Sequence, residues 1–368
     1  LRERGELGEA EAVCRQALAL KPDYVLAHNN LGIILHGQDR SDEAEASYRR
    51  ALALAPTDLK SLNNLGNLLK SRGRLNEAAD CYRAALQQAP DMAELHGNLA
   101  NVQKDLGELD AALAGFSHAI RLKPAQADTW HNLLLTLQYA DHARAADCAH
   151  WHRAFAEQFE APWRGRVAAH PNSRDPERRL RVGWVSADFC NHSVSYFTLP
   201  LLQALAARPD LGLELYGYSQ VLVHDPLSKQ LEACCAKWRH VLGLNDDELE
   251  DCIRRDQIDI LIDLSGHTAN NRLPVFARKP APVQVGWLGY PDSSGLTHID
   301  WRITDRHGDP EGADEYYSEK LWRLPEVFCC YRPMIRFPEK RQHPDYAVWP
   351  TPALETGYLT FGCCNNIA

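Results

Sequence analysis

The sequence contains no G-x-G-x-x-G and no G-x-x-x-x-G-K-[ST], so neither a dinucleotide fingerprint nor a Walker loop is present to hold phosphates. A simple dehydrogenase or nucleoside triphosphatase is thereby disfavoured. No apolar run approaches the roughly 18 residues needed to span a bilayer, and no charged-then-apolar leader opens the chain. The expectation is a cytoplasmic protein with no membrane partner. Basic charge is in deficit as well: 40 lysines and arginines face 49 acidic residues, a formal charge of −9, which argues against nucleic acid as a partner. The eleven cysteines include no C-x-x-C spacing that could frame zinc, and they read as reduced thiols, mostly small core residues. Among sixteen histidines there is no H-E-x-x-H, and His150 and His152, two apart, fall on different faces of a helix. No metal is called for.

What the chain does have is a period. Pro22, Pro56, Pro90 and Pro124 stand 34 residues apart, and Ala10, Ala44, Ala78 and Ala112 keep the same step. This is the spacing of tetratricopeptide helix pairs, which stack into a solenoid with a concave binding surface. Leu31-Gly32 and Leu65-Gly66 fall where a small residue admits a neighbouring helix, and Tyr48, Tyr82 and Phe116 fill the aromatic position of the second helix. Asn30, Asn64, Asn98 and Asn132 recur at the sixth position of each repeat, roughly 150° from the centre of the packing stripe. A row of carboxamides on an open face could hold an extended polypeptide by its main chain. An ordinary solvated residue copied with each repeat duplication would give the same pattern.

The array is expected over 1–140, followed by linking helices and a connector over 141–179 that carries Pro162, Pro171 and Pro176. One linking helix is expected at Ala145–Phe159. From Leu180 the period shortens to apolar runs at Leu180–Val185, Leu213–Tyr218, Ile258–Leu264, Val283–Leu288, Ile299–Thr304 and Leu321–Leu324, with a helix over Asp246–Arg255. Apolar strands alternating with helices predict a parallel, doubly wound sheet over 180–368. In such sheets ligands bind beyond the carboxyl ends of strands. The loops there are polar or glycine-rich: Ser186–Ser193, Ser265–Asn271 and Gly289–Gly295. Leu1 falls at the eleventh position of the repeat register, and a strand expected at Tyr358–Gly362 leads into a polar turn, so the sequence reads as an internal fragment.

Three motifs in this order after a repeat array resemble the protein O-linked N-acetylglucosamine transferases, in the branch of the plant SPINDLY proteins and many bacterial relatives. They are Leu180-Arg-Val-Gly-Trp-Val-Ser-Ala-Asp188-Phe-Cys-Asn-His192-Ser-Val-Ser-Tyr-Phe197, Gly266-His-Thr-Ala-Asn-Asn-Arg272 and Pro280-Ala-Pro-Val-Gln-Val-Gly-Trp-Leu-Gly-Tyr-Pro291. The resemblance implies a tetratricopeptide α-solenoid joined to the first of two Rossmann-like lobes of a GT-B type inverting glycosyltransferase. Such enzymes move a sugar from a nucleotide diphosphate donor to serine or threonine of protein acceptors held by the repeats. UDP-N-acetylglucosamine is the expected donor and GDP-fucose, the sugar nucleotide of plant SPINDLY, the alternative. A noncatalytic repeat scaffold is the competing class. The family's second lobe supplies most groups that neutralise the diphosphate, so a chain holding the first lobe alone is expected to be inactive.

Carried over by motif, His192 matches a histidine proposed as the base, which could instead orient the substrate and, outside the motif, would read as a packed or capping residue; Asp188 matches an acidic residue proposed for proton handling, although an aspartate after a strand also caps helices. Leu288, Gly289 and Pro291 match the sugar-pocket segment, which could equally be a tight turn. His267 is a further site candidate, or a structural loop histidine. Ser193, Val194 and Tyr196 depart from the animal pattern, toward the SPINDLY branch.

Overall fold

The computed structural model describes residues 4–330. Its first part is a run of antiparallel helix pairs: α1 (Arg4–Leu20), α2 (Val25–Gly37), α3 (Ser41–Leu54), α4 (Leu59–Ser71), α5 (Leu75–Gln88), α6 (Ala93–Asp105), α7 (Leu109–Leu122) and α8 (Ala127–Leu137). The 34-residue marks explain the packing. A Cβ on Gly32 would lie 2.5 Å from the Tyr48 ring, and one on Gly66 would lie 2.7 Å from Tyr82, so glycine lets each buried aromatic seat against the preceding helix. Helix starts are tied back to the repeating proline: His28, His96 and Trp130 bond the carbonyls of Pro22, Pro90 and Pro124 at 2.9, 2.6 and 2.8 Å. In the intervening repeat Leu62 has no ring nitrogen, and Asp58 caps instead by accepting from Ser61 N at 2.9 Å. Arg40 bridges Glu11 and Glu43, and Arg74 one repeat later bridges Glu45 and Glu77. Both clamps lie at the surface, where such pairs contribute only tenths of a kcal/mol to about 1.

After α9 (Ala145–Phe159) and an irregular connector, the described residues form a seven-stranded, wholly parallel sheet. The chain runs through β1 (Leu180–Ser186), α10 (Ser193–Ala206), β2 (Leu213–Ser219), α11 (Pro226–Glu232), β3 (Lys237–His240), α12 (Asp246–Arg255), β4 (Ile260–Asp263), α13 (Leu273–Phe276), β5 (Val283–Gly286), β6 (Trp301–Asp305) and β7 (Lys320–Leu324). Strand order is β3-β2-β1-β4-β5-β6-β7. Successive side chains of a strand point to opposite faces, so the sheet has two cores. Val182, Trp184 and Ile262 pack with α10 and α11 through Leu199, Leu202, Leu227 and Leu231. Val185, Tyr218 and Leu261 pack on the other face with α12 and α13 through Leu249, Ile253 and Phe276. The expected strands are all present, those at Ile260–Asp263, Val283–Gly286 and Trp301–Asp305 shorter than their apolar runs, while β3, Lys-Trp-Arg-His, has no apolar run to announce it. It is an edge strand held by charge: Lys237 Nζ and Arg239 Nη2 lie 2.6 and 2.5 Å from Asp256 Oδ1. The strand expected at Tyr358–Gly362 lies outside the described residues.

The repeat arm and the lobe share one core, since Trp130 and Leu133 of α8 and Phe155 of α9 cluster with Leu249 and Phe276. A polar seam is buried beside it. His267 Nε2 donates to Ser294 O at 2.9 Å, which leaves its Nδ1 to accept from His131 Nδ1 at 2.8 Å. The Tyr290 hydroxyl donates to Leu134 O at 3.1 Å and accepts from Gln138 Nε2 and His152 Nε2, each at 3.1 Å. Glu160 accepts from Thr297 N at 2.6 Å. The described cysteines are all free thiols: Cys148 and Cys252 are buried in the core, and Cys14, Cys81, Cys190, Cys234 and Cys235 pack half-buried against it, as expected of small core residues. No helix among the described residues is long and apolar enough to cross a membrane.

Burial drives the three seam histidines toward neutrality: His152 and His267 fall below the ordinary imidazole value, and His131 falls from 6.5 to about 3. A depressed imidazole means that the unfolded chain binds the extra proton. Stability is therefore full above about pH 6.5 and is lost as pH falls toward 3. At pH 5 His131 alone should lower it by about 2 kcal/mol. A urea-denaturation series from pH 7.5 to 5 should show this loss, with a smaller slope for His131→Gln. Parallel slopes for variant and wild type would rule the effect out.

Candidate active site

Strand order reverses between β1 and β4, so the loop after β1 leaves toward one face of the sheet and the loop after β4 toward the other. A crevice opens between them, the usual ligand position of such sheets. It holds a cleft of about 330 Å³ lined by Asp188, His192, Val194 and Phe197 on the β1 side, Thr268, Ala269 and Asn270 on the β4 side, and Leu288 and Gly289 beyond β5.

The β1 loop is built from its own hydrogen bonds. Asp188 N donates to Ser186 Oγ at 2.9 Å, Ser195 Oγ donates to Asp188 O at 2.6 Å, and Asn191 N donates to Asp225 Oδ2 at 2.6 Å. His192 is the N-cap of α10, its Nδ1 accepting from Val194 N at 3.3 Å. The same Nδ1 lies 3.7 Å from Asp188 Oδ1. Burial pushes the Asp188 carboxyl up from the ordinary value, and the neighbouring imidazole opposes that shift. Two proton arrangements follow. With Nδ1 capping the helix, the proton sits on Nε2; with the proton on Nδ1 facing Asp188, Nε2 is free to accept one. The pair can therefore take a proton from a hydroxyl at Nε2, the carboxylate steadying the resulting imidazolium.

The opposite wall depends on backbone contact. Leu288 sits at φ +77°, and a Cβ on Gly289 would lie 1.8 Å from Leu264 O, so only glycine lets the β5 loop rest on the β4 loop. Two expected residues are elsewhere. Pro291 is exposed and does not line the cleft. His267 is 1% exposed and points into the seam toward His131, so the structure gives it the position of a buried junction residue. Its neighbours Thr268 and Asn270 take the cleft position instead. Asp263, which the sequence reading passed over, ends β4 fully buried and accepts from Ser265 N and Gly266 N at 3.1 and 2.8 Å, shaping the start of that loop. Burial raises its pKa to about 6.

The asparagine row is less open than expected. Asn30 is exposed, but Asn64, Asn98 and Asn132 are half-buried. Asn64 Nδ2 donates to Asn29 Oδ1 and Asn98 Nδ2 to Asn63 Oδ1, both at 2.9 Å, linking successive repeats. Asn132 lacks the equivalent bond because Gly97 occupies the partner position.

A family model described as "Glycosyl transferase family 41" matches residues 129–342, more than half of the chain. The chain belongs to glycosyl transferase family 41. Tetratricopeptide repeat models match residues 1–39, 23–91 and 69–136 of this family-41 chain. It is 38% identical over 241 residues to a Petunia hybrida protein named "Probable UDP-N-acetylglucosamine--peptide N-acetylglucosaminyltransferase SPINDLY", covering 64% of this chain and 25% of that protein. The SPINDLY protein of Arabidopsis thaliana is 37% identical over the same shares, whereas the SEC protein of that plant is 31% identical over 50% of this chain. The chain thus spans about a quarter of the length of the SPINDLY relatives it matches. A solved mutant of the O-GlcNAc transferase of Thermobaculum terrenum superposes with a TM-score of 0.72 at 33% identity, covering 84% of this chain and 59% of that one.

Gly289→Ala should destabilise the protein by about 1–3 kcal/mol or more, because the obstacle is backbone. Gly97→Ala, with open space around its Cβ in α6, should leave stability unchanged or raise it. Thermal melts of both variants test this, and an undisturbed Gly289→Ala would contradict the contact.

Proposed function

We propose that this chain belongs to an inverting protein glycosyltransferase that moves N-acetylglucosamine from UDP-N-acetylglucosamine to serine or threonine hydroxyls, in the cytoplasm, with the repeat arm presenting the polypeptide. The observation that carries this reading is the Asp188–His192 pair at the strand-reversal cleft of a family-41 lobe. The acceptor oxygen attacks the anomeric carbon, the bond from that carbon to the diphosphate oxygen breaks with its electron pair leaving on UDP, and the hydroxyl proton passes to His192 Nε2. Attack opposite the leaving group inverts the anomeric centre. Leu288 and Gly289 form the wall against which the sugar rests.

The asparagine row suits the acceptor role through what its rungs leave over. Asn64 and Asn98 each use an amide N–H between repeats and keep a carbonyl oxygen, while Asn30 and Asn132 keep whole carboxamides. The match to proteins named as peptide N-acetylglucosaminyltransferases supports a polypeptide acceptor over a small molecule.

The test is a transfer assay on the full-length protein with UDP-N-acetylglucosamine and GDP-fucose, read as mass added to serine or threonine. Transfer from the first is expected, with kcat reduced about 10²- to 10⁴-fold in His192→Ala. Transfer from GDP-fucose alone would overturn the donor assignment, and none from either would favour a noncatalytic scaffold. Replacing Asn64, Asn98 and Asn132 together by alanine should raise KM for protein acceptor while leaving donor affinity unchanged; equal losses in both would return the row to ordinary repeat surface.

A further inference from the structure

Five described residues other than glycine adopt a left-handed backbone: Asp39, Gln257, Asn270, Lys279 and Leu288. Asp39, Gln257 and Lys279 lie two or three residues past the ends of α2, α12 and α13, where that conformation is a common way to end a helix. Asn270 and Leu288 end no helix, and both line the cleft. Asn270 lies in the turn of the β4 loop, a position asparagine adopts readily, whereas Leu288 carries strain; in both the conformation aims the residue at the cleft.

Asn270 is the more informative of the two. Its carbonyl accepts from Gln220 Nε2 at 3.0 Å, and Gln220 Oε1 is gripped in turn by Arg272, whose Nη2 donates to Leu244 O at 2.7 Å. Its neighbour Asn271 is consumed by the loop, donating from Nδ2 to Thr268 O at 2.8 Å and accepting from Leu273 N at 3.1 Å. The Asn270 carboxamide has no hydrogen-bond partner among the described residues, and the residue is exposed across the crevice from His192. The main chain is fixed while the amide is left free.

Resting on the donor reading above, the geometry points to Asn270 as a specificity-determining residue that hydrogen-bonds hydroxyl groups of the transferred sugar. A carboxamide offers both donor and acceptor to neighbouring hydroxyls. The described residues lining this cleft include a carboxylate and no lysine or arginine, a poor setting for a diphosphate and a suitable one for a neutral, hydroxyl-rich ring. Asn270 therefore faces the sugar end of the donor, not its phosphates.

Asn270→Gly separates this role from a structural one, because glycine takes the left-handed conformation without strain. In the full-length protein, calorimetric titration should show about 10-fold weaker binding of UDP-N-acetylglucosamine, unchanged binding of UDP, and a thermal midpoint equal to or above wild type. Equal weakening of both ligands, unchanged binding of both, or a lowered midpoint would each overturn the assignment. Wild-type protein that binds neither ligand would overturn the donor reading itself, and the assignment with it.

Discussion

The reversal of strand order between β1 and β4 is the constraint on which the rest of this molecule depends. All seven strands are parallel, so each crossover must be right-handed, and the direction in which the chain steps decides the face its helix covers. Steps from β1 to β2 and on to β3 place α10 and α11 on one face; steps back through β4 and β5 place α12 and α13 on the other. The loops that leave β1 and β4 diverge, and the gap between them cannot be filled by either helix layer. Asp188, His192, Thr268 and Asn270 are where they are because they begin those two departures.

That sheet also explains how the repeats are held. The α12–α13 face is covered from outside by α8 and α9, so the last helix of the periodic array and its successor complete a core that belongs to the lobe. Buried polar groups then fix the register of the joint. His131, His152 and His267 form a neutral cluster around Tyr290, and Gln138 reaches Asp292 Oδ2 at 3.1 Å. Among the described residues His152 Nδ1 is buried without a hydrogen bond, 3.9 Å from Asp292 Oδ2. The paired groups of this network fix one arrangement, while the unpaired nitrogen costs stability. The arm is thereby an extension of the lobe's own packing, with a fixed direction relative to the cleft.

Much of this was legible from residue spacing. The 34-residue period gave the helix pairs because each Gly–Tyr contact needs both partners in the same register, and the apolar strands stood out because they are buried on both faces. β3 was illegible for the opposite reason, since an edge strand tied down by Lys237 and Arg239 has no hydrophobic signature. The site was legible to the level of the loop but not of the side chain. In the run after β4, His267 looks the more chemical residue, yet the turn at Gly266 (φ +54°) buries it against the repeats, and Asn270 reaches the cleft. The asparagine row was predicted from helical angle alone, which cannot register that Asn29 and Asn63 stand close enough to bond the next repeat.

Hydrogen–deuterium exchange of the full-length protein with and without UDP-N-acetylglucosamine tests most directly whether the crevice between β1 and β4 receives a sugar nucleotide. Slower exchange is predicted in peptides covering 186–195, 265–272 and 286–291, with α1 to α7 unchanged. Protection that appears elsewhere in the protein while all three loops exchange at their unliganded rates would contradict it.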